Sequence, residues 1–394
     1  MGQYMENKRA LLLLAAVMFL VMVGFGVIIP VLPFFAKQIG ATPAQLGWLM
    51  AVYSLMQLLF APMWGRISDR IGRKPVMLIG IAGLAISFFL FAISSQLWML
   101  FAARILGGFL SSANMPTTMA YVADVTTPES RGKGMGKIGA SIGLGFIFGP
   151  AIGGIFAEHH LQTPFFITSG LAVITFFFVL FAVRESLPAE KRANRQEHRE
   201  SRWAAFQGSM AFLYILSFFV SFSLSGLEAT FAYFAAARAG IGAKQIGYIF
   251  MIMGLAGAIV QGGLIGRLIK KFGEGAVIQG GLFVSAIGFL LILLTHSFSS
   301  AALYLTIFGL GNGVIRPSVS ALISKHTTVG QGTASGLMSS FDSLGRIAGP
   351  PLGGILYAWQ IGYPYISGAI LSLIAFLVYW IYANRTKQET SQTV

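Results

Sequence analysis

From Pro75 to Ala103 the chain carries no charged residue, and from Leu46 to Trp64 it carries none either. Between these runs lies the decapeptide Gly65-Arg66-Ile67-Ser68-Asp69-Arg70-Ile71-Gly72-Arg73-Lys74. A helix of about 20 apolar residues crosses a bilayer. Each run therefore reads as a transmembrane helix, and the decapeptide as a tight turn at a membrane surface. Its four basic residues place that surface on the cytoplasmic side, where loop Lys and Arg accumulate. Gly65 and Gly72 give the backbone freedom to turn. Asp69, the only acid in the turn, is placed to pair with an arginine or to cap a helix start.

The remaining chain follows the same rule. Charged residues are 10% of the 394, against about 25% in soluble domains. A formal net charge of +14 would point to nucleic acid in a soluble protein; here the basic residues fall in short loops between apolar runs, so membrane topology accounts for them and no nucleic-acid partner is expected. There is no cysteine, which excludes disulfides and thiol chemistry. Of the five histidines only His159 and His160 are close together, so no metal site is expected. The first apolar run, Ala10 to Ala36, is too long for a signal-peptide core and reads as a retained span.

Hydropathy predicts twelve spans, roughly 10–36, 45–65, 75–94, 97–122, 134–157, 164–183, 209–236, 245–268, 276–296, 299–323, 333–358 and 363–383. The expected organisation is an N-terminal six-helix bundle over 1–183, a polar cytoplasmic linker over 184–208 and a C-terminal six-helix bundle over 209–394. With this assignment 21 of the 27 basic residues lie on one side and only Lys37, Arg238 and Lys244 on the other. Both termini are then cytoplasmic. The remaining three, Arg104, Arg316 and Arg346, fall inside spans.

The halves repeat. Residues 39–48 align with 239–248, and Gly149-Pro150-Ala151-Ile152-Gly153-Gly154 with Gly349-Pro350-Pro351-Leu352-Gly353-Gly354, both at an offset of 200. Residues 65–72 align with 266–273, shifted by one. Two six-span repeats imply an all-α membrane transporter in which substrate sits near the midplane and the bundles rock to alternate access. An enzyme reading fails: Gly139-Ala140-Ser141-Ile142-Gly143 fits G-x-S-x-G but lies in an apolar helical run instead of a strand–turn–helix. No nucleotide-binding loop is present, so an ion gradient or the substrate's own gradient must supply the energy. A channel reading finds no ring of charge and no filter motif.

With these motifs in place, the whole chain resembles the major facilitator superfamily. Gly65 to Lys74 matches that family's signature loop between spans 2 and 3, and Arg104-Ile105-Leu106-Gly107-Gly108 its span-4 motif, whose arginine is associated with proton coupling. Gly139, Gly143, Gly149-Pro150 and Gly153-Gly154 match the span-5 motif of drug:proton exporters. Span 1 (Gly24 to Pro33) and span 7 (Leu224 to Thr230, with Glu228) are similar to the twelve-span subfamily of tetracycline exporters and Gram-positive quinolone and multidrug efflux pumps. The resemblance implies the family's fold of twelve helices in two bundles, in the plasma membrane. It also implies export of amphipathic drugs against protons, with no cofactor beyond the proton gradient. One position departs: some relatives carry a span-10 aspartate three residues before an Arg-Pro pair, where this chain has Gly313 before Arg316-Pro317. Export or proton symport of a sugar or other small metabolite is the alternative.

Candidate residues follow. A carboxylate at mid-membrane is costly, so Glu228 in span 7 is the first candidate for a proton carrier and for a substrate contact. Arg104 and Asp342 are further proton-coupling candidates. Asp342 and Arg346, four residues apart, have the spacing of an ion pair on one helix. Arg316, Asn312, Asn114, Gln57, Tyr53, Phe34, Tyr121, Phe231 and Tyr233 are candidate substrate contacts by their positions in spans 1, 2, 4, 7 and 10. Gly65, Asp69, Arg70, Gly72, Arg73, Asp124 and Arg131 form a candidate cytoplasmic gate, in which Asp124 is expected to join Asp69, Arg70 and Arg131. Gly145, Gly149, Pro150, Gly153 and Gly154 make small-xxx-small steps that allow close helix packing. The expected partners are a small-molecule substrate, protons and the lipid bilayer, with the protein acting as a monomer.

Overall fold

The computed structural model describes residues 2–187, 209–327 and 331–392, so most of the expected linker lies outside the described residues. Thirteen helices follow one another: α1 (Gly2–Gln38), α2 (Pro43–Ile71), α3 (Arg73–Ile93), α4 (Leu97–Ser111), α5 (Asn114–Val125), α6 (Pro128–Phe156), α7 (Thr163–Ala182), α8 (Ser209–Ala239), α9 (Ala243–Ile259), α10 (Ile265–Ile292), α11 (Phe298–His326), α12 (Gln331–Trp359) and α13 (Tyr363–Gln392). A five-residue π-helical segment, Val260–Leu264, joins α9 to α10. Among the described residues no strand occurs, and nine helices are long and apolar enough to cross a membrane. Each of the twelve expected segments contains helix.

Two segments depart from a simple rod. The expected span 97–122 is interrupted at Ser112–Ala113, because Pro116 has no N–H to give the Ser112 carbonyl and its ring crowds that oxygen. The turn tightens instead, with the Ala113 N–H donating to Leu110 O at 3.2 Å. The long run through α9 and α10 turns at Gly273, whose φ of 81° and ψ of 159° are not helical. Gly40 (φ 90°), Gly72 (φ 112°), Gly240 (φ 64°) and Gly273 are the described residues with positive φ. They form two pairs under the sequence repeat, 40 with 240 and 72 with 273, so both halves make the same turns where only glycine is unstrained.

The chain divides into two compact units, one of residues 1–198 with 243–251 and the other of 199–242 with 252–394. Within unit 1, α1 packs along α6, and α3 along α4 and α7; within unit 2, α8 packs along α12, and α10 along α11 and α13. The small-residue rows explain the first pairing in each. A Cβ on Gly145 would lie 2.5 Å from Met22 Cβ, on Gly149 2.7 Å from Gly26 Cα, and on Gly153 2.8 Å from Val27 Cα. In unit 2 a Cβ on Gly345 would lie 2.4 Å from the Phe218 carbonyl, and on Gly349 2.4 Å from that of Phe222. Lipid offers apolar side chains no less than protein does, so close van der Waals contact is what holds such helices together. Not every glycine of the motif serves this: around Gly139 and Gly143 there is open space. On α7, Ile174, Phe177 and Phe181 are exposed, as a lipid-facing helix surface requires.

Candidate functional site

At the α2–α3 junction the hub is Arg73, fully buried although charged. Its Nη2 meets Asp69 Oδ1 at 2.6 Å, its Nε meets Asp124 Oδ2 at 3.0 Å, and its Nη1 donates to Ser68 Oγ at 2.6 Å. Ser68 in turn donates to the Gly65 carbonyl at 2.8 Å. A buried cation is tolerable only when paired in this way. The expected network around Asp69, Arg70, Arg131 and Asp124 is therefore corrected. Arg70, in the last turn of α2, is exposed, and Arg131 reaches the Ala123 carbonyl at 3.4 Å. The reason is the turn at Gly72, which sets Arg73 as the first residue of α3 and aims it inward between α2 and α5.

That position creates a need the motif does not display. Helix α3 starts at Gly72-Arg73-Lys74 without a capping side chain of its own, and its positive N-terminal end carries two cations. Glu185, just past α7, answers both: its carboxylate accepts the N–H of Arg73 at 2.8 Å and of Lys74 at 3.1 Å. Ser186 donates to Asp124 Oδ2 at 3.1 Å, and the Tyr121 hydroxyl donates to the Arg184 carbonyl at 2.6 Å. Glu185 is a residue that sequence reading missed. The uncapped helix start was the signal that an outside acceptor had to exist.

A second cluster lies within the unit 1 helices. Arg104 of α4 is 5% exposed and stacks its guanidinium on aromatic faces, 4.9 Å from the Tyr53 ring centroid and 5.6 Å from that of Phe91. Desolvated cation–π contacts of this kind contribute about 2 kcal/mol. Tyr53 shares a 2.6 Å hydrogen bond with Ser111 Oγ, accepts from Gln57 Nε2 at 3.1 Å and meets Phe25 edge-on at 5.2 Å. Among the described residues Arg104 Nε has no hydrogen-bond partner. Tyr53, Gln57 and Arg104 thus come together. Asn114 stands apart, buried, with neither amide atom hydrogen-bonded among the described residues, and pressed on α3, where a Cβ on Gly80 would come 2.3 Å from its Oδ1. Phe34 is half-buried on α1, and Tyr121 is fastened to the segment after α7.

Unit 2 holds the embedded acids. Asp342 of α12 is buried and meets Arg316 Nη2 of α11 at 2.7 Å, while Ser221 of α8 donates to its Oδ1 at 3.0 Å. The expected same-helix pair of Asp342 with Arg346 is thereby corrected. Two neighbouring helices supply Asp342 with a hydroxyl and a guanidinium at once, and Arg346 is the positive charge that acts on Glu228 of α8. Glu228 is half-buried, and among the described residues it has no hydrogen bond and no ion pair. Asn312 Nδ2 donates to the Val220 carbonyl at 3.4 Å. Phe231 is fully buried, and Tyr233 is buried 6.0 Å from Tyr357, ring to ring. Gly313, at the departure from the family pattern, accepts at its carbonyl from Gln261 Nε2 of the π segment at 3.3 Å. Gln261 was not among the expected residues; π segments are frequent at functional sites, but hydropathy does not reveal them.

At the other end of unit 1, Lys244 Nζ donates to both carboxylate oxygens of Glu158, at 3.0 and 2.8 Å. The hydrogen bond and charge of Lys244 hold the Glu158 carboxyl below its ordinary range. Beneath this pair the backbones touch: a Cβ on Gly154 would lie 2.7 Å from the Ala243 carbonyl, and one on Gly247 2.3 Å from that of Pro150.

Repeated helical bundles, embedded charges and a braced basic turn define a polytopic membrane transporter. The Major Facilitator Superfamily profile matches residues 14–328 and again 213–393, and this chain belongs to that family. It is 33% identical to Multidrug resistance protein 2 of Bacillus subtilis over 375 residues, covering 94% of each chain. It is 28% identical to Quinolone resistance protein NorA of Staphylococcus aureus over 364 residues, covering 91% of this chain and 93% of that one. The fold matches the crystal structure of the nucleoside transporter NupG with a TM-score of 0.80, at 16% identity, over 94% of this chain and 98% of that one.

Proposed function

We propose that this transporter exports amphipathic drugs in exchange for protons by alternating access, with Glu228 as the principal proton carrier. The observation that carries this reading is the state of Glu228: a carboxylate inside α8, half-buried, within reach of the Arg346 charge and without a hydrogen bond or ion pair among the described residues. A carboxylate embedded in a membrane helix is retained at a cost of several kcal/mol and so points to use. Asp342, already engaged by Arg316 and Ser221, is the second carboxylate of the path. A lipophilic cation that competes with the proton for Glu228 couples the two fluxes by linkage. Arg104, Tyr53 and Gln57 offer aromatic faces and a few polar atoms, a surface suited to varied apolar substrates. Similarity to multidrug and quinolone resistance proteins supports the same reading.

In this proposal the bundles are 1–183 and 209–394, joined by a cytoplasmic linker over 184–208, with both termini cytoplasmic. The monomer works in the plasma membrane, and the proton gradient takes the place of any cofactor. The test uses inverted vesicles energised by a respiratory substrate. Ethidium or norfloxacin should collapse the pH gradient in wild type and not in Glu228→Gln. Collapse by a sugar or metabolite alone would replace the drug reading, and full collapse in the variant would move the proton site to Asp342.

A further inference from the structure

Both units fasten the start of one helix to the end of another at the same place in the repeat, and they do so with opposite charges. In unit 1, Gly72 turns the chain, Arg73 opens α3 and its guanidinium meets Asp124 near the end of α5. In unit 2, Gly273 turns the chain, Glu274 follows it and its carboxylate meets Lys325 near the end of α11. Partners are 51 residues apart in both cases, and both members shift by 201 between the halves. Aligned by residue type the two positions mismatch, so motif comparison passes over them.

The exchange has an electrostatic logic. A helix N-terminus carries about half a positive charge and its C-terminus about half a negative one. Unit 1 places a cation at the unfavourable end, and Glu185 is there to accept the N–H groups of Arg73 and Lys74. Unit 2 places the acid at the N-terminal side itself and the cation in the last turn of α11, so each charge already suits its helix end. Position 386, which corresponds to Glu185 under the same shift, is a threonine. Burial differs too: the Arg73 side chain is 1% exposed, that of Lys325 60%, that of Glu274 13%. His326 acts on Glu274 beside Lys325, and Arg267, Lys270 and Lys271 precede the turn with exposed side chains.

We propose that Glu274 and Lys325 are positioning residues of unit 2, holding α10 to α11 as Arg73 and Asp124 hold α3 to α5. This rests on the proposed transport by alternating access and on the reading of the Arg73 turn as part of a cytoplasmic gate. Glu274 is the sensitive member. Reversing it puts a cation at a positive helix end, beside Lys325, where the sequence has a threonine instead of a carboxylate at the position matching Glu185. Losing Lys325 leaves Glu274 with the helix end as partner.

The test measures ethidium transport in energised inverted vesicles, with protein levels matched by immunoblot. Glu274→Lys should lower Vmax about tenfold with KM changed less than about twofold, and Lys325→Ala should lower Vmax only about twofold. The charge-exchanged double variant, Glu274→Lys with Lys325→Glu, should recover to within about threefold of wild type. A wild-type rate in Glu274→Lys, or a double variant no faster than it, overturns the proposal. Should wild type move no cation at all, the transport reading fails and the pair is judged by thermal unfolding of purified protein. Glu274→Lys should then lower Tm by several degrees and the exchanged pair restore it; equal falls in both would reject the pairing.

Discussion

The two units share a scaffold and divide the chemistry. Unit 1 buries two arginines, Arg73 at a helix start among carboxylates and Arg104 on aromatic faces, and its described acids Asp69, Asp124, Glu158 and Glu185 stand at helix ends or beyond them. Unit 2 sets Glu228, Arg316, Asp342 and Arg346 well inside α8, α11 and α12. Glycine rows, positive-φ turns and helix pairings repeat between the units, whereas the charges embedded within the helices do not. The repeat thus keeps what holds helices together and varies the charges embedded between them. The braced turns show the same separation, since a fixed geometry is met with exchanged charges.

The strongest way to break this comparison is to move the chemistry. Glu228→Gln should abolish drug-driven proton flux, a loss of at least about a hundredfold, while the protein still unfolds at its wild-type temperature. Flux that survives would move the proton site to Asp342, and flux that survives loss of both carboxylates would place it in unit 1. The scaffold comes next. Gly149→Ala and Gly349→Ala both drive a methyl group into backbone and should remove most folded protein from the membrane, measured by detergent-resistant size exclusion. Gly143→Ala, with open space around it, should be neutral or gain up to about 1 kcal/mol of helix stability. A difference between Gly149→Ala and Gly349→Ala would show that the scaffolds are less alike than they look.

Smaller effects sharpen the picture. Asp342→Asn leaves Arg316 without its carboxylate; breaking a buried pair costs about 3–5 kcal/mol, and the half-open Arg316 reduces that to about 2 kcal/mol, seen as a lower Tm. Tyr53→Phe keeps the ring beneath Arg104 but removes the hydroxyl that meets Ser111 and Gln57, and should raise KM for a cationic drug about threefold with Vmax unchanged. The Glu158–Lys244 pair gives the mildest effect. A carboxylate held below its ordinary range contributes above that range and loses its contribution as pH falls through the lowered value. Amide exchange over residues 243–251 should therefore be unchanged between pH 8 and 5 after correction for intrinsic rates, and should quicken below about pH 4. Glu158→Gln should remove that dependence.

Much of the fold was legible because charge-free runs and basic turns alternate along the chain, and because Gly40 and Gly72 recur as Gly240 and Gly273. Partners across helices were not legible. Spacing along one helix puts Asp342 and Arg346 on one face, yet it cannot say that Ser221 and Arg316 from other helices arrive there first. It ranks Arg70 and Arg73 alike, although one turn at Gly72 buries the second and exposes the first. Glu185 lies 112 residues from the N–H it accepts, so only the uncapped start of α3 hinted at it. The interruption at Ser112–Ala113 could have been anticipated from Pro116, but an apolar run conceals a broken helix as readily as a continuous one.

The backbone contact between α1 and α6 also bears on how such a chain can diversify. Side chains that touch can exchange sizes in compensating steps, and each step leaves a working intermediate. Gly149 against Gly26 offers no such route, because neither partner has anything left to shorten. Substitution is therefore easier where side chains meet side chains, as around Tyr53, Gln57 and Arg104, than along this seam, where any added atom meets backbone.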